Sequence, residues 1–256
     1  MSRFENLEFD DQHKGRSSEQ PALKDEAFYV AEATAAFENA EFEQALRAYA
    51  KVLEFNPANA TAWTGQVRML IELGEFQEAK VWADKALERF PSEAELLAAK
   101  AVALGRIGDL KAALAFSDAA IEVRGDTPYV WLSRGDVLLA RKEKRANYCF
   151  DKALELEPQN WFFHWLVSRV QFYYEKFSLA LKHAQQALAV DASRCAAWLQ
   201  AGQCQMALGL AGPAQNSFEQ AIELNPHCQP AHRALDELPR QGFWSRLGGR
   251  LRGMFT

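Results

Sequence analysis

Residues 60–93, ATAWTGQVRMLIELGEFQEAKVWADKALERFPSE, decide the fold, because their pattern returns five more times along the chain. Within this stretch Trp63 opens a helical period, Gly74 breaks it, Ala79 and Ala86 mark a second helical period, and Pro91 stops it. Other copies end at Pro57, Gly125, Pro158, Ala192 and Pro226, which sets a period of 34 residues with one local deletion. A helix pair of this size cannot bury its apolar face alone, so the copies must stack on one another. The expected product is an all-α protein, a right-handed α-solenoid of helix pairs.

Working outward, the pattern divides residues 26–238 into six repeats, 26–59, 60–93, 94–127, 128–160, 161–194 and 195–228, followed by a capping helix at 229–238. Residues 1–25 are polar and mixed in charge and read as a mostly disordered N-terminal segment. Asp25 stands where a capping residue for the first helix is expected. Residues 239–256 have a composition of their own: four Arg, no acid, and Phe243, Leu247 and Leu251 spaced by four. That spacing predicts a basic amphipathic tail.

Large, small and bulky residues recur at fixed positions of each first helix, and Ala, an aromatic residue, Ala and Pro recur in each second helix. On these residues the chain resembles the tetratricopeptide repeat (TPR) family over roughly residues 26–228. The fourth repeat is close to the pattern in Trp131, Gly135, Ala146, Phe150, Ala153 and Pro158, but it is one residue shorter near Arg141 to Lys144. The fifth departs most: His164 and Gln171 stand where large apolar residues are usual, and its turn, Tyr174-Glu175-Lys176, has no Gly.

The resemblance implies recognition of a peptide or partner protein on the concave surface lined by first helices. Projecting the repeat places Arg68, Leu132, Asp136, Trp165, Arg169, Phe172 and Tyr173 on that surface as partner-binding residues. The fifth repeat also gathers seven aromatic residues within fourteen positions, Trp161 to Tyr174, suited to anchoring apolar side chains. The Lys and Asn clamp by which one subclass holds a chaperone carboxylate is absent, since the matching positions hold Val30, Thr34, Thr64, Arg68, Leu132 and Asp136.

The tail supplies a second candidate surface. Phe243, Trp244, Arg246, Leu247, Arg250 and Leu251 form its apolar anchor and cationic row, fit for docking on a partner, on its own solenoid, on a second copy of the chain, or on an anionic membrane. The membrane reading makes the chain a peripheral adaptor and is the alternative to an interaction module or assembly factor.

Composition narrows the rest. The chain of 256 residues carries a formal charge of -5, and the four Arg of the tail leave -9 on the preceding 238 residues, which disfavours nucleic acid as a partner. Four cysteines without a CxxC pair suggest reduced thiols and a cytoplasmic location, at most peripheral at the inner face of a membrane. No residue pattern calls for a cofactor, a metal or a catalytic site, so the expectation is a non-enzymatic protein.

Overall fold

The computed structural model describes residues 24–238, which form thirteen helices and no strand. The first helices of the pairs are α1 (Glu26–Glu38), α3 (Ala60–Glu72), α5 (Ala94–Ile107), α7 (Pro128–Ala140), α9 (Trp161–Tyr173) and α11 (Cys195–Ala207). The second helices are α2 (Phe42–Phe55), α4 (Phe76–Arg89), α6 (Leu110–Val123), α8 (Ala146–Leu156), α10 (Phe177–Val190) and α12 (Ala211–Leu224). A last helix, α13, is described over 229–238. Each first helix packs on its own second helix, and most second helices pack in turn on the next first helix. This is an α-solenoid of helix pairs.

Three local devices explain why the 34-residue pattern folds this way. The first is capping: the side chains of Asp25, Asn59, Asp109 and Asn160 accept backbone N–H groups at the starts of α1, α3, α6 and α9. The second is the turn within each pair. One residue per repeat adopts the left-handed conformation there: Ala40, Gly74, Gly108, Lys142, Glu175 and Gly209, with φ between 56° and 101°. Three of these turns are made without Gly, at the cost of crowding between Cβ and the backbone.

The third device is a ring N–H at the entry to the next pair. Trp63 donates to the carbonyl of Pro57 at 3.0 Å, Trp131 to Gly125 at 2.7 Å, and Trp198 to Ala192 at 2.8 Å. His232 makes the same contact to Pro226 at 2.9 Å, and His164 stands against the Pro158 carbonyl. His164 thus takes the place of the Trp ring beside that carbonyl, with its Nδ1 buried and without a partner among the described residues.

Small residues set the close approaches. Ala79, Ala83, Ala86, Ala113, Ala120, Ala180, Ala184 and Ala187 are all fully buried on the second helices. At Gly202 a Cβ would lie 2.5 Å from the ring of Phe218, so only Gly admits that ring.

The missing residue of the fourth repeat has an unexpected location. Ala146 corresponds to Ala79, Ala113, Ala180 and Ala214, yet α8 begins at Ala146 whereas its counterparts begin three residues earlier. The deletion shortens the helix, to 11 residues against 14, rather than the connection. Consequently α8 meets α9 over a smaller face than α2 offers α3 or α4 offers α5. Trp161, Phe162 and Phe163 open α9 at this junction and pack into the main core.

The solenoid also meets itself. The ring of Phe37, at the end of α1, lies 5.0 Å from that of Phe162 and 6.2 Å from that of Trp165 on α9. Glu38 pairs with Arg194 at 3.1 Å, and Glu72 of the second repeat accepts from Arg169 Nε of the fifth at 2.7 Å. Contacts between repeats this far apart in sequence bring the concave face around a half-open space.

Candidate functional site

The first helices line a half-open chamber of about 590 Å³. Its lining follows the repeat period. Arg68, Val102, Asp136, Arg169 and Gln203 occupy one equivalent position in repeats two to six, and Glu72, Arg106 and Tyr173 occupy another, one helical turn further on. A third row, one turn earlier, consists of Thr64, Ala98, Leu132, Trp165 and Leu199, and all five are buried. The chain curls tightly enough that this earlier row is buried, with Leu132 reaching the chamber wall, while the two later rows face the chamber.

Six of the seven residues projected from the sequence line the chamber: Arg68, Leu132, Asp136, Arg169, Phe172 and Tyr173. Trp165 is a correction. It is 0% exposed, stacks against Phe42 and Phe162, and donates its indole N–H to the carbonyl of Ala196 at 3.2 Å. It belongs to the wall and cannot touch a partner. Of the other six aromatics among residues 161–174, Tyr173 is 45% exposed and Phe172 also lines the chamber, while Trp161 is buried and Phe162, Phe163 and Tyr174 are partly covered.

Charge in the chamber is arranged unevenly. Asp136 is 3% exposed and takes a bidentate contact from Arg106, itself 7% exposed, with Nε at 3.0 Å. The hydroxyl of Tyr174 donates to the same carboxylate at 2.8 Å, and the guanidinium of Arg106 lies 3.3 Å from the centroid of Tyr173. Burial opposes the Arg106 charge, but the carboxylate beside it more than compensates and raises its pKa. Burial, reinforced by the same carboxylate, also raises the Tyr174 pKa and keeps the phenol neutral. Asp136 is thus committed to structure and offers no free acceptor to a ligand.

Arg169 is committed as well, to Glu72, and it lies 4.5 Å above the ring of Phe42. Arg68 differs. It has no carboxylate partner among the described residues; its guanidinium lies 3.9 Å from the ring of Tyr129 and 4.9 Å from that of Phe37, and its Nη2 is buried without an acceptor. A buried donor without a partner costs roughly 1–3 kcal/mol, so the half-buried Arg68 side chain that carries it favours an incoming acceptor.

Tyr129, Glu72, Gln200 and Phe37 are parts of this site that the sequence projection does not name. Glu72 and Tyr129 could have been suspected from their places in first helices, next to rows already marked. Phe37 carries no such signal, since its approach to Arg68 depends on the curvature of the whole stack.

The four cysteines are buried, and no group of three metal-ligating side chains is present among the described residues. His164 and His183 lie with ring centroids 6.4 Å apart, and burial lowers both pKa values, that of His183 to about 4. They are neutral packing groups. No helix among the described residues is long and apolar enough to cross a membrane. The tail positions Phe243, Trp244, Arg246, Leu247, Arg250 and Leu251 lie outside the described residues.

A curved stack of helix pairs around a lined chamber defines a helical-repeat protein. The profile of the tetratricopeptide repeat family matches residues 8–162 and again residues 196–228, so the chain belongs to that family. No curated protein sequence matches it. Among solved structures, a tetratricopeptide repeat protein from Parabacteroides merdae is similar at 16% identity, with 86% of each chain covered and a TM-score of 0.53. YrrB, a TPR protein with an unusual peptide-binding site, is similar at 20% identity over 73% of this chain and 96% of its own, with a TM-score of 0.42. A chain of the APC/C hetero-tetramer Cut9-Hcn1 is similar at 14% identity, with a TM-score of 0.49. The match takes in 85% of the present chain and 44% of that larger one.

Proposed function

We propose that the chamber is the recognition site of a non-enzymatic interaction module, and that it receives a segment of a partner protein carrying a carboxylate side chain between apolar residues. The observation that carries this reading is Arg68, the chamber arginine with a buried N–H that no described acceptor meets. Tyr129 and Phe37 hold its guanidinium plane in place, so a carboxylate would meet a pre-oriented donor. Phe172, exposed Tyr173, Gln200 and Gln203 supply the apolar and amide contacts around it. Membership of the family supports the class of function, protein binding on a scaffold. The identity of the chamber as the surface used is our own assignment.

The test is quantitative capture of partners from an extract of the source cells by wild-type protein, Arg68→Gln and Tyr173→Ser. Loss of a charge-assisted hydrogen bond should weaken true partners about tenfold or more in Arg68→Gln. A synthetic tripeptide, N-acetyl-Phe-Glu-Phe-amide, should move the Arg68 Nε–H resonance, and its Gln counterpart should not. Unchanged capture by both variants, with equal response to the two peptides, would remove the chamber from consideration.

A further inference from the structure

In a stack held together only by neighbours, the first and fifth repeats have no reason to touch. Here they do, and through a distinctive set of groups. Phe37 sits edge-on to Phe162, Phe42 stacks on Trp165 at 6.3 Å with the Arg169 guanidinium 4.5 Å from one ring and 5.2 Å from the other, and Glu38 reaches Arg194, whose guanidinium lies 4.9 Å from the ring of Trp161. The α1–α2 turn therefore presents an aromatic, an acid and a second aromatic residue to a face of three aromatics and two arginines. Phe37 extends the contact to Arg68, so this one turn touches both the fifth repeat and the anchor of the chamber.

We infer that the turn Phe37–Phe42 is an intramolecular occupant of a docking face on the fifth repeat: a clasp that closes the solenoid and covers a surface suited to partner segments of the same chemistry. Such a segment carries an acid directly after one aromatic residue and a second aromatic four residues beyond the acid. Complementarity supports this occupant. The face offers Arg194, shared between Glu38 and its neighbour Asp191, and the flat Arg169 guanidinium among Trp161, Phe162 and Trp165, and the turn supplies the matching acid and rings. Glu38 and Arg194 are 35% and 38% exposed, so the ionic part of the clasp is open to solvent and to competitors. The inference rests on the chamber reading only for its consequence, that release of Phe37 frees Arg68 on one side.

Closure is tested without any partner. Spin labels at Asn39→Cys and Ser193→Cys, both exposed positions in a chain whose four native cysteines are buried, report the distance across the clasp. The background protein should give a single short distance. Phe42→Ala should raise the population at longer distances about tenfold, Glu38→Arg should raise it less, and Glu38→Arg with Arg194→Glu should restore closure in part. Circular dichroism on Glu38→Arg, a substitution at a half-buried surface position, separates opening from loss of the first repeat. A peptide with the sequence of residues 33–47 should lengthen the distance in the background protein, and the same peptide with both Phe replaced by Ala should not. One short distance in Phe42→Ala and Glu38→Arg alike overturns the clasp. A peptide that leaves the background distance unchanged overturns the docking face, whatever the outcome of partner capture.

Discussion

The second and fifth repeats fold into the same helix pair by different means. In the second, Gly74 makes the turn, Trp63 supplies both ring packing and the N–H contact to Pro57, and α3 and α4 have neighbours on both sides in sequence. In the fifth, Glu175 makes the turn with φ of 56°, His164 takes the ring position, Ser168 Oγ donates to the Ala180 carbonyl at 2.7 Å to tie the two helices, and the first repeat packs across the top. The second repeat keeps the pattern because its turn and its ring contact both lie within one period, although Glu72 also accepts from Arg169 of the fifth. In the fifth, the departing residues His164 and Glu175 are met by neighbours in sequence, the Pro158 and Phe172 carbonyls, while Phe162 and Trp165 on the same helix receive the first repeat. An irregular repeat and a long-range contact thus share one helix without sharing residues.

The sharpest way to break this comparison is to remove the ring at the centre of the fifth repeat. Trp165→Ala should lose about 3–5 kcal/mol in chemical denaturation, since a fully buried indole and its hydrogen bond both vanish. Trp63→Ala, at a partly exposed ring, should lose about 1–2 kcal/mol. Equal losses would mean that the first repeat adds nothing to the fifth. Almost as large an effect is expected from Asp136→Ala, about 3–4 kcal/mol, because Arg106 would be left buried and unpaired while Tyr174 loses its acceptor.

A pH dependence distinguishes the repeats as well. His183 has a pKa near 4 in the folded protein against about 6.5 when unfolded, so the unfolded chain binds more protons between these values. Stability should therefore hold above pH 6.5, fall as pH drops through that window, and lose about 2 kcal/mol between pH 7 and 5. His183→Leu should flatten the profile over the same range in thermal unfolding. The smallest effect is a gain: Lys142→Gly and Glu175→Gly relieve the left-handed strain that Gly74 never carries, and each should add about 0.5–1 kcal/mol to stability. Gly74→Ala should cost a similar amount.

How much of this is legible in the sequence follows from the range of each interaction. The rows that line the chamber, 68, 102, 136, 169 and 203, are separated by the repeat period, so a helical projection finds them. Curvature is not in the period. It decides that the row of Leu132 and Trp165 turns inward and that Arg169 meets Glu72 across 97 residues, and it arises from small shifts at each junction that no local pattern encodes. The deletion in the fourth repeat was visible as a count of residues. Its absorption by the first turn of α8 was not, because Lys142 takes up the left-handed turn that Gly would have advertised.

The contact between Phe37 and the fifth repeat also bears on mechanics. An open stack of helix pairs behaves as a spring whose coils extend together under load. Fastening one end to a point four coils away turns most of that spring into a buckle. Pulled from its ends, the chain should first yield in a single short-range step at the rings of Phe37, Phe42 and Trp165, and only afterwards stretch as a coil. The first repeat would then act as a safety catch, setting the force at which the remaining repeats begin to move.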